Sequence, residues 1–129
     1  MKGLRKTIIK GLMAVFILDV FGSLTSRTFN FDYTSLIVFS YLIYGFFGFQ
    51  AYRATQRLKH SVIVGLTLGL FDATIGWWIS FQLYAKVDGK QVPDEFLTTS
   101  LVIIMVTIVA IFFAVIGGFI SKKLAKRSV

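Results

Sequence analysis

Apolar residues fill four long stretches of the chain, and polar or turn-forming residues separate them. The stretches cover residues 7–26, 34–52, 61–85 and 96–121, with a short connection at 86–95. A helix needs roughly 20 residues to cross the hydrocarbon core of a bilayer, and each stretch approaches or exceeds that length. The pattern predicts an all-α integral membrane protein, a four-transmembrane-helix bundle that forms one membrane domain over residues 1–129.

The first stretch could also be the apolar part of a signal peptide, because Lys2, Arg5 and Lys6 precede it. A signal peptide has an uninterrupted apolar region followed by a cleavage site of small residues. Here Lys10 and Asp19 interrupt the apolar run, and no convincing cleavage site follows. We therefore predict that this stretch is a retained transmembrane helix.

Composition supports a protein that lies mostly in lipid. The chain is 56% hydrophobic and contains no cysteine, and its mean hydropathy is +0.76. The lack of cysteine excludes disulfides, thiol catalysis and thiolate metal sites. The sequence also has no His or Cys ligand set, P-loop or nucleophile motif, so we predict no enzyme, no metal site and no cofactor.

Positive charges are concentrated on one side of the predicted bundle. With the N-terminus in the cytoplasm, eleven of the 14 Lys and Arg residues are cytoplasmic: Lys2, Arg5, Lys6, Lys10, Arg53, Arg57, Lys59, Lys122, Lys123, Lys126 and Arg127. The acidic residues of the connections, Asp32, Asp88, Asp94 and Glu95, are all on the other side. The positive-inside rule then predicts cytoplasmic N- and C-termini in a plasma membrane of bacterial type. The net charge of +8 is explained by topology and by anionic lipid headgroups, so no nucleic-acid partner is predicted.

Local signals define the ends of the helices. Ser61 is a predicted N-cap, and Pro93-Asp94-Glu95 places a helix-starting proline and two acids at the start of the fourth helix. An Asp88-Gly89 turn favours a small hairpin in the connection at 86–95. Five aromatic residues gather near the outer boundary and are predicted to anchor the helices in the membrane interface: Tyr33, Trp77, Trp78, Tyr84 and Phe96.

Small and polar residues share one face of each predicted helix. The four sets are Gly11, Val15, Asp19, Gly22 and Ser26; Tyr41, Gly45, Gly48 and Tyr52; Gly65, Gly69, Asp72, Gly76 and Ser80; and Thr107, Ala110, Ala114, Gly117 and Ser121. Small residues allow helix backbones to approach closely in lipid. We therefore predict helix packing at Gly11, Gly22, Gly45, Gly48, Gly65, Gly69, Gly76 and Gly117.

The first and third helices repeat the order Gly, Asp, Gly, Ser on this face. A repeated pattern on alternate helices suggests that the chain is an internal duplication of two helical hairpins. Because both helices then run outward, Asp19 and Asp72 lie about 18 Å and 16 Å from the cytoplasmic ends of their helices, at 1.5 Å per residue. The two acids are thus predicted at the same mid-membrane depth.

An ionisable residue at this depth costs roughly 2.5 to 3.5 kcal/mol and is by default a candidate functional residue. Two carboxylates that are close together in a low dielectric cannot both ionise cheaply, so we expect them to titrate as a coupled pair. The candidate residues for binding a proton or an ion are Asp19 and Asp72, together with Tyr44 and Thr107 at similar depth. The only histidine, His60, is predicted to be an interfacial residue.

Three functional readings follow from the sequence. The leading one is a membrane protein, predicted to be homo-oligomeric, that binds or conducts a proton or cation through the Asp pair. The second is a non-catalytic accessory or scaffold subunit whose glycine faces dock a larger membrane partner and whose acids are structural. The third, a protein that forms membrane lesions, fits the size and the basic C-terminus but fits two buried acids less well.

Overall fold

The computed structural model describes residues 2–83, 85–87, 90–91 and 96–127, with side chains described for 2–83, 85 and 99–127. The predicted turn at Asp88-Gly89 and the predicted helix start at Pro93-Asp94-Glu95 lie outside the described residues. The same holds for Tyr84 and for the side chain of Phe96 in the predicted aromatic belt.

Four long helices make up the described chain. Helix α1 covers Lys2–Phe29, α2 covers Ile37–Thr55 after a 3-10 turn at Tyr33–Leu36, α3 covers Leu58–Gln82, and α4 covers Phe96–Arg127. Helix α3 consists of Leu58–Phe71, a π-helical turn at Asp72–Gly76, and Trp77–Gln82. All four spans are long and apolar enough to cross a membrane. The predicted fold of four membrane-crossing helices is therefore confirmed, while the duplication and the orientation of the termini stay predictions.

Helix α3 begins earlier than its predicted N-cap. Arg57 is extended and the helix starts at Leu58, so Ser61 lies inside the first turn. Its hydroxyl donates a hydrogen bond of 2.8 Å to the carbonyl oxygen of Gly48 on α2. The prediction that Ser61 caps α3 is wrong, because this hydroxyl bonds across to α2 instead of capping its own helix.

The connection after α3 contains a short antiparallel pairing of two strands. Strands β1 (Lys86–Val87) and β2 (Lys90–Gln91) pair in the register Lys86 to Gln91 and Val87 to Lys90. This is the arrangement that an Asp-Gly turn favours. Strand β1 contacts α1 and the 3-10 turn before α2, so the hairpin lies against that end of the bundle, which we call the hairpin end.

The opposite end carries most of the cations, and we call it the basic end. A Cβ atom added at Gly3 would lie 3.3 Å from the Cβ atom of Ala54, so the start of α1 lies beside the end of α2. A Cβ atom added at Gly118, near the end of α4, would lie 2.9 Å from Ser61 Cβ and 3.2 Å from Leu58 Cδ2 at the start of α3. The start of α1, the end of α4 and the connection between α2 and α3 therefore share the basic end.

Helix α4 packs along α2 and α3, and α1 packs against the same two helices. The closest approaches occur where glycines face a neighbouring backbone. A side chain at Gly48 would collide with the backbone of Ala114, and one at Gly117 would collide with the backbone of Gly45. Added Cβ atoms at Gly65 and Gly69 would lie 2.7 Å from Ile111 Cα and from Ala110 Cβ respectively. These contacts form the seams of α4 with α2 and α3.

Large apolar side chains cover the outside of the bundle. Phe21, Leu42 and Met105 are each 65% exposed. Water would penalise such a surface, whereas lipid tails solvate it, and a protein in lipid must satisfy its backbone within its own helices. The four apolar helices therefore indicate a multi-pass membrane protein.

Candidate functional site

The carboxyl groups of Asp19 and Asp72 lie close together in the interior of the bundle, and both are next to Gly76. Asp19 lies on the buried face of α1 and is 1% exposed, and Asp72 is the first residue of the π turn in α3. A Cβ atom added at Gly76 would touch Asp19 Oδ2 and would lie 2.8 Å from Asp72 Oδ1. The two oxygens are thus within about 6 Å of each other, where charges in a low-dielectric interior interact strongly. The structure brings the two predicted acids together.

Each acid accepts a hydrogen bond from a tyrosine. The Tyr44 hydroxyl donates to Asp72 Oδ2, and the Tyr33 hydroxyl donates to Asp19 Oδ1 over 2.8 Å. Tyr44 is one of the predicted site residues. Tyr33 is not: its assignment to the membrane-interface belt is wrong, since its hydroxyl points inward from the 3-10 turn. An aromatic residue at a helix start fits either role, so the sequence holds no decisive signal for Tyr33.

The remaining oxygen of Asp19 has no hydrogen-bond partner among the described residues. Asp19 Oδ2 is buried and faces the same point above Gly76 as Asp72 Oδ1. An unsatisfied buried acceptor costs about 1 to 3 kcal/mol, and more when it is charged. A proton held between the two carboxyl groups would satisfy this oxygen and would remove one of the two negative charges.

A π-helical turn shapes the α3 side of the site. Across Asp72–Gly76 the helix widens, and the N–H of Trp77 donates to the carbonyl of Asp72, five residues earlier. Turns of this kind are rare and often occur at functional sites. The turn begins at one of the acids and ends at Gly76, against which both carboxyl groups lie.

Buried hydroxyl groups continue from the acids to the hairpin end. The Ser23 hydroxyl on α1 donates to the Ser80 hydroxyl on α3 over 3.1 Å. Ser26, one turn further along α1, donates to the carbonyl of Phe31 over 2.7 Å. Both α1 serines are fully buried, and Ser23 joins α1 to α3 while Ser26 ties α1 to the connection that follows it.

A cavity of about 380 Å³ lies beside the acid pair, in the half of the bundle near the hairpin end. Asp72, Gly76 and Trp77 form its α3 wall, and the other three helical spans complete it. Tyr41, which also lines the cavity, stacks its ring on that of Phe113 with the centroids 4.6 Å apart. Trp77 lines the cavity, while its neighbour Trp78 faces outward and is 60% exposed; the prediction that both anchor the protein in the interface stays a prediction.

Other predicted polar residues lie away from the acids. Thr107 is buried beside Gly69, but its hydroxyl has no partner among the described residues and bonds to neither acid. Its depth is close to that of the acids, but it faces a different part of α3. His60 lies at the basic end. Within the described ranges, no group of three or more His, Cys, Asp or Glu side chains is placed to hold a metal ion.

The chemistry of the site follows from two acids, two tyrosines and a cavity. Comparison with protein-family models, curated proteins and solved structures found no match for this chain. Carboxyl groups and tyrosine hydroxyls bind protons and cations. The acid pair and the cavity are therefore the features from which a function can be inferred.

Proposed function

We propose that this is a multi-pass protein of a bacterial plasma membrane that takes up and releases a proton or a cation at Asp19 and Asp72 as a step in transport or permeation. One observation carries the proposal: Asp72 belongs both to the acid pair and to the wall of the cavity. The cavity gives Asp72 an open space beside it in which a proton or cation could be exchanged.

The unpartnered oxygen of Asp19 is a second observation that supports this role. Acids that merely join helices would be expected to satisfy all their oxygens, as Asp72 Oδ2 does through Tyr44. Asp19 Oδ2 is buried without such a partner. A proton or a cation bound between the carboxyl groups would satisfy this buried acceptor, which supports a binding site for one of them.

The charge distribution supports a cytoplasmic basic end, and with this orientation the cavity would lie in the outer half of the membrane. We expect a reporter fused after Val129 to be cytoplasmic and one inserted at Gly89 to be external. Reporter activity and accessibility to an impermeant thiol reagent, applied to single cysteines at these two positions, provide the measurement. Labelling of the Gly89 site only after the membrane is opened would show that the orientation is inverted.

The proposal is tested by infrared difference spectroscopy of the full chain in lipid nanodiscs. We expect a carboxylic acid band at neutral pH, since exposed acids ionise near pH 4 and only the pair can hold a proton there. The band should disappear reversibly as the pH is raised while the protein stays folded. Asp72→Asn should abolish its titration, and the double variant Asp19→Asn with Asp72→Asn should lack the band at neutral pH and above.

Two outcomes would contradict the proposal. The absence of a band at neutral pH in the unsubstituted protein would show that the pair holds no proton. A band that persists until the protein unfolds would mean that the proton is locked in place. The second outcome favours an accessory or scaffold protein with structural acids.

A further inference from the structure

The cavity beside the acid pair is large enough to bind a small organic molecule. Its volume of about 380 Å³ falls within the roughly 300 to 1,000 Å³ typical of small-molecule sites. It exists because α2 and α4 diverge. The two helices touch at Gly48 and Ala114 and at Gly45 and Gly117, whereas nearer the hairpin end they form separate walls at residues such as Ile37 and Val102.

The lining of the cavity combines aromatic rings with a single acid. Tyr33, Tyr41, Tyr44 and Trp77 contribute rings, and Asp72 is the one charged side chain among the lining residues. The described lining contains no Lys, Arg or His to neutralise Asp72. Aromatic faces attract cations, most strongly where water is excluded. A carboxyl group without a cationic partner, surrounded by rings, therefore favours a positively charged ligand.

The rest of the wall indicates what kind of cation fits. Most lining side chains are apolar, such as Leu18, Val106 and Val109. A metal ion needs several oxygen ligands in place of its water shell, and this wall does not provide them. An organic cation with an apolar body needs only one charge partner and apolar contacts, both of which the cavity offers.

The position of the cavity also favours a ligand that dissolves in lipid. Ile37 on α2 and Met105 on α4 line the cavity and are 43% and 65% exposed on the lipid-facing surface. The cavity thus borders the surface between α2 and α4 that faces the bilayer. A molecule already dissolved in the membrane can enter it there without crossing water.

We propose that the cavity binds a lipophilic organic monocation, whose positive charge replaces the proton at Asp72. This inference rests on the proposed exchange of a proton or cation at the acid pair and names the class of ligand. The pair binds either the proton or the organic cation, so binding of the cation releases one proton to the solvent. Proton binding and cation binding would thus be coupled, because the two ligands compete for the same site.

The test uses benzyltrimethylammonium and its neutral isostere 2,2-dimethylpropylbenzene, in which carbon replaces the charged nitrogen. Binding to the full chain in nanodiscs is followed by tryptophan fluorescence, and proton release is followed with a pH indicator in weak buffer. We expect the cation to bind with release of up to one proton. Its affinity should rise up to tenfold per pH unit while the pair remains protonated. Asp72→Asn should weaken the cation at least tenfold and leave binding of the neutral molecule unchanged.

Two adjacent tryptophans give a matched control that does not depend on Asp72. Trp77 lines the cavity and Trp78 faces lipid. Trp77→Ala should weaken binding of the cation several-fold, and Trp78→Ala should not change it, as measured by calorimetry for both variants. Equal affinity in the two variants would show that the ligand binds elsewhere.

Three other results would overturn the inference. Binding of the neutral molecule alone would identify the cavity as a site for uncharged apolar ligands. Cation binding without proton release, or with full affinity in Asp72→Asn, would show that Asp72 is not its charge partner. Binding of neither probe would exclude this ligand class. In each case the infrared measurement without ligand decides the fate of the proposed proton exchange. A carboxylic acid band that titrates reversibly would still support that exchange, whereas absence of the band would refute the exchange together with the ligand proposal.

Discussion

Replacing Gly76 with alanine should force the two carboxyl groups apart and destabilise the fold by about 1 to 3 kcal/mol, the usual range for overpacking a buried site. The added Cβ atom would touch Asp19 Oδ2 and lie 2.9 Å from Asp19 Cγ. Asp19 cannot move aside freely, because its other oxygen accepts the Tyr33 hydrogen bond. We expect a lower thermal unfolding midpoint in detergent and loss or displacement of the carboxylic acid band.

A double-mutant cycle identifies the contact responsible. Asp19→Ser shortens the side chain that the alanine would strike, so combining Gly76→Ala with Asp19→Ser should cost less than the sum of the two single changes. Residues in contact commonly show interaction free energies of 0.5 to 3 kcal/mol. If the two effects simply add, the alanine does not press on Asp19 and the described geometry of the pair is wrong.

The number of helices and the residues on their inner faces were predictable from the sequence for physical reasons. Lipid demands helices of a minimum length, and close packing in lipid demands small residues on one face. Both requirements are visible in the sequence, as long apolar stretches and as small residues on one face of each helix. Gly11, Asp19 and Gly22 therefore lie on the buried face of α1.

The details of the acid site could not be predicted in the same way. The π turn at Asp72–Gly76 interrupts the 3.6-residue period of α3, and no proline in that segment signals the interruption. The hydrogen bond from Tyr33 to Asp19 depends on how the 3-10 turn folds back over α1, which periodicity does not encode. Thr107 lies at a depth similar to that of the acids but contacts Gly69 instead of them. Depth alone therefore does not predict which side chains meet, because the face of the helix on which a residue lies also matters.

Gly45 and Gly48 show that small residues alone do not predict how closely a neighbouring helix approaches. The sequence places both glycines on the same face of α2. In the structure, a Cβ atom at Gly45 would lie 3.6 Å from the carbonyl oxygen of Phe113, an ordinary contact. A Cβ atom at Gly48 would lie 2.5 Å from Ala114 Cα and collide with the Ala114 carbonyl. Both glycines face α4, but only Gly48 has no space for a side chain, whereas Gly45 has room for a methyl group.

The same substitution at these two positions should accordingly have opposite effects. Alanine is favoured over glycine within a helix by about 1 kcal/mol, so Gly45→Ala should leave stability unchanged or raise it slightly. Gly48→Ala should lower the free energy of unfolding by about 2 kcal/mol, because an overpacking cost of up to about 3 kcal/mol exceeds the gain in helix propensity. Thermal unfolding of both variants in the same detergent provides the measurement.

The nature of the collision at Gly48 allows a stricter test. The added methyl group would strike the backbone of Ala114, namely its Cα, carbonyl carbon and carbonyl oxygen. Shortening the facing side chain with Ala114→Gly therefore removes none of these atoms. We expect Ala114→Gly to give no rescue and to add its own cost of about 1 kcal/mol for glycine in a helix. Rescue by Ala114→Gly would show that α2 and α4 contact each other through their side chains and are further apart than described. Equal stability of Gly45→Ala and Gly48→Ala would show that Gly48 does not contact α4.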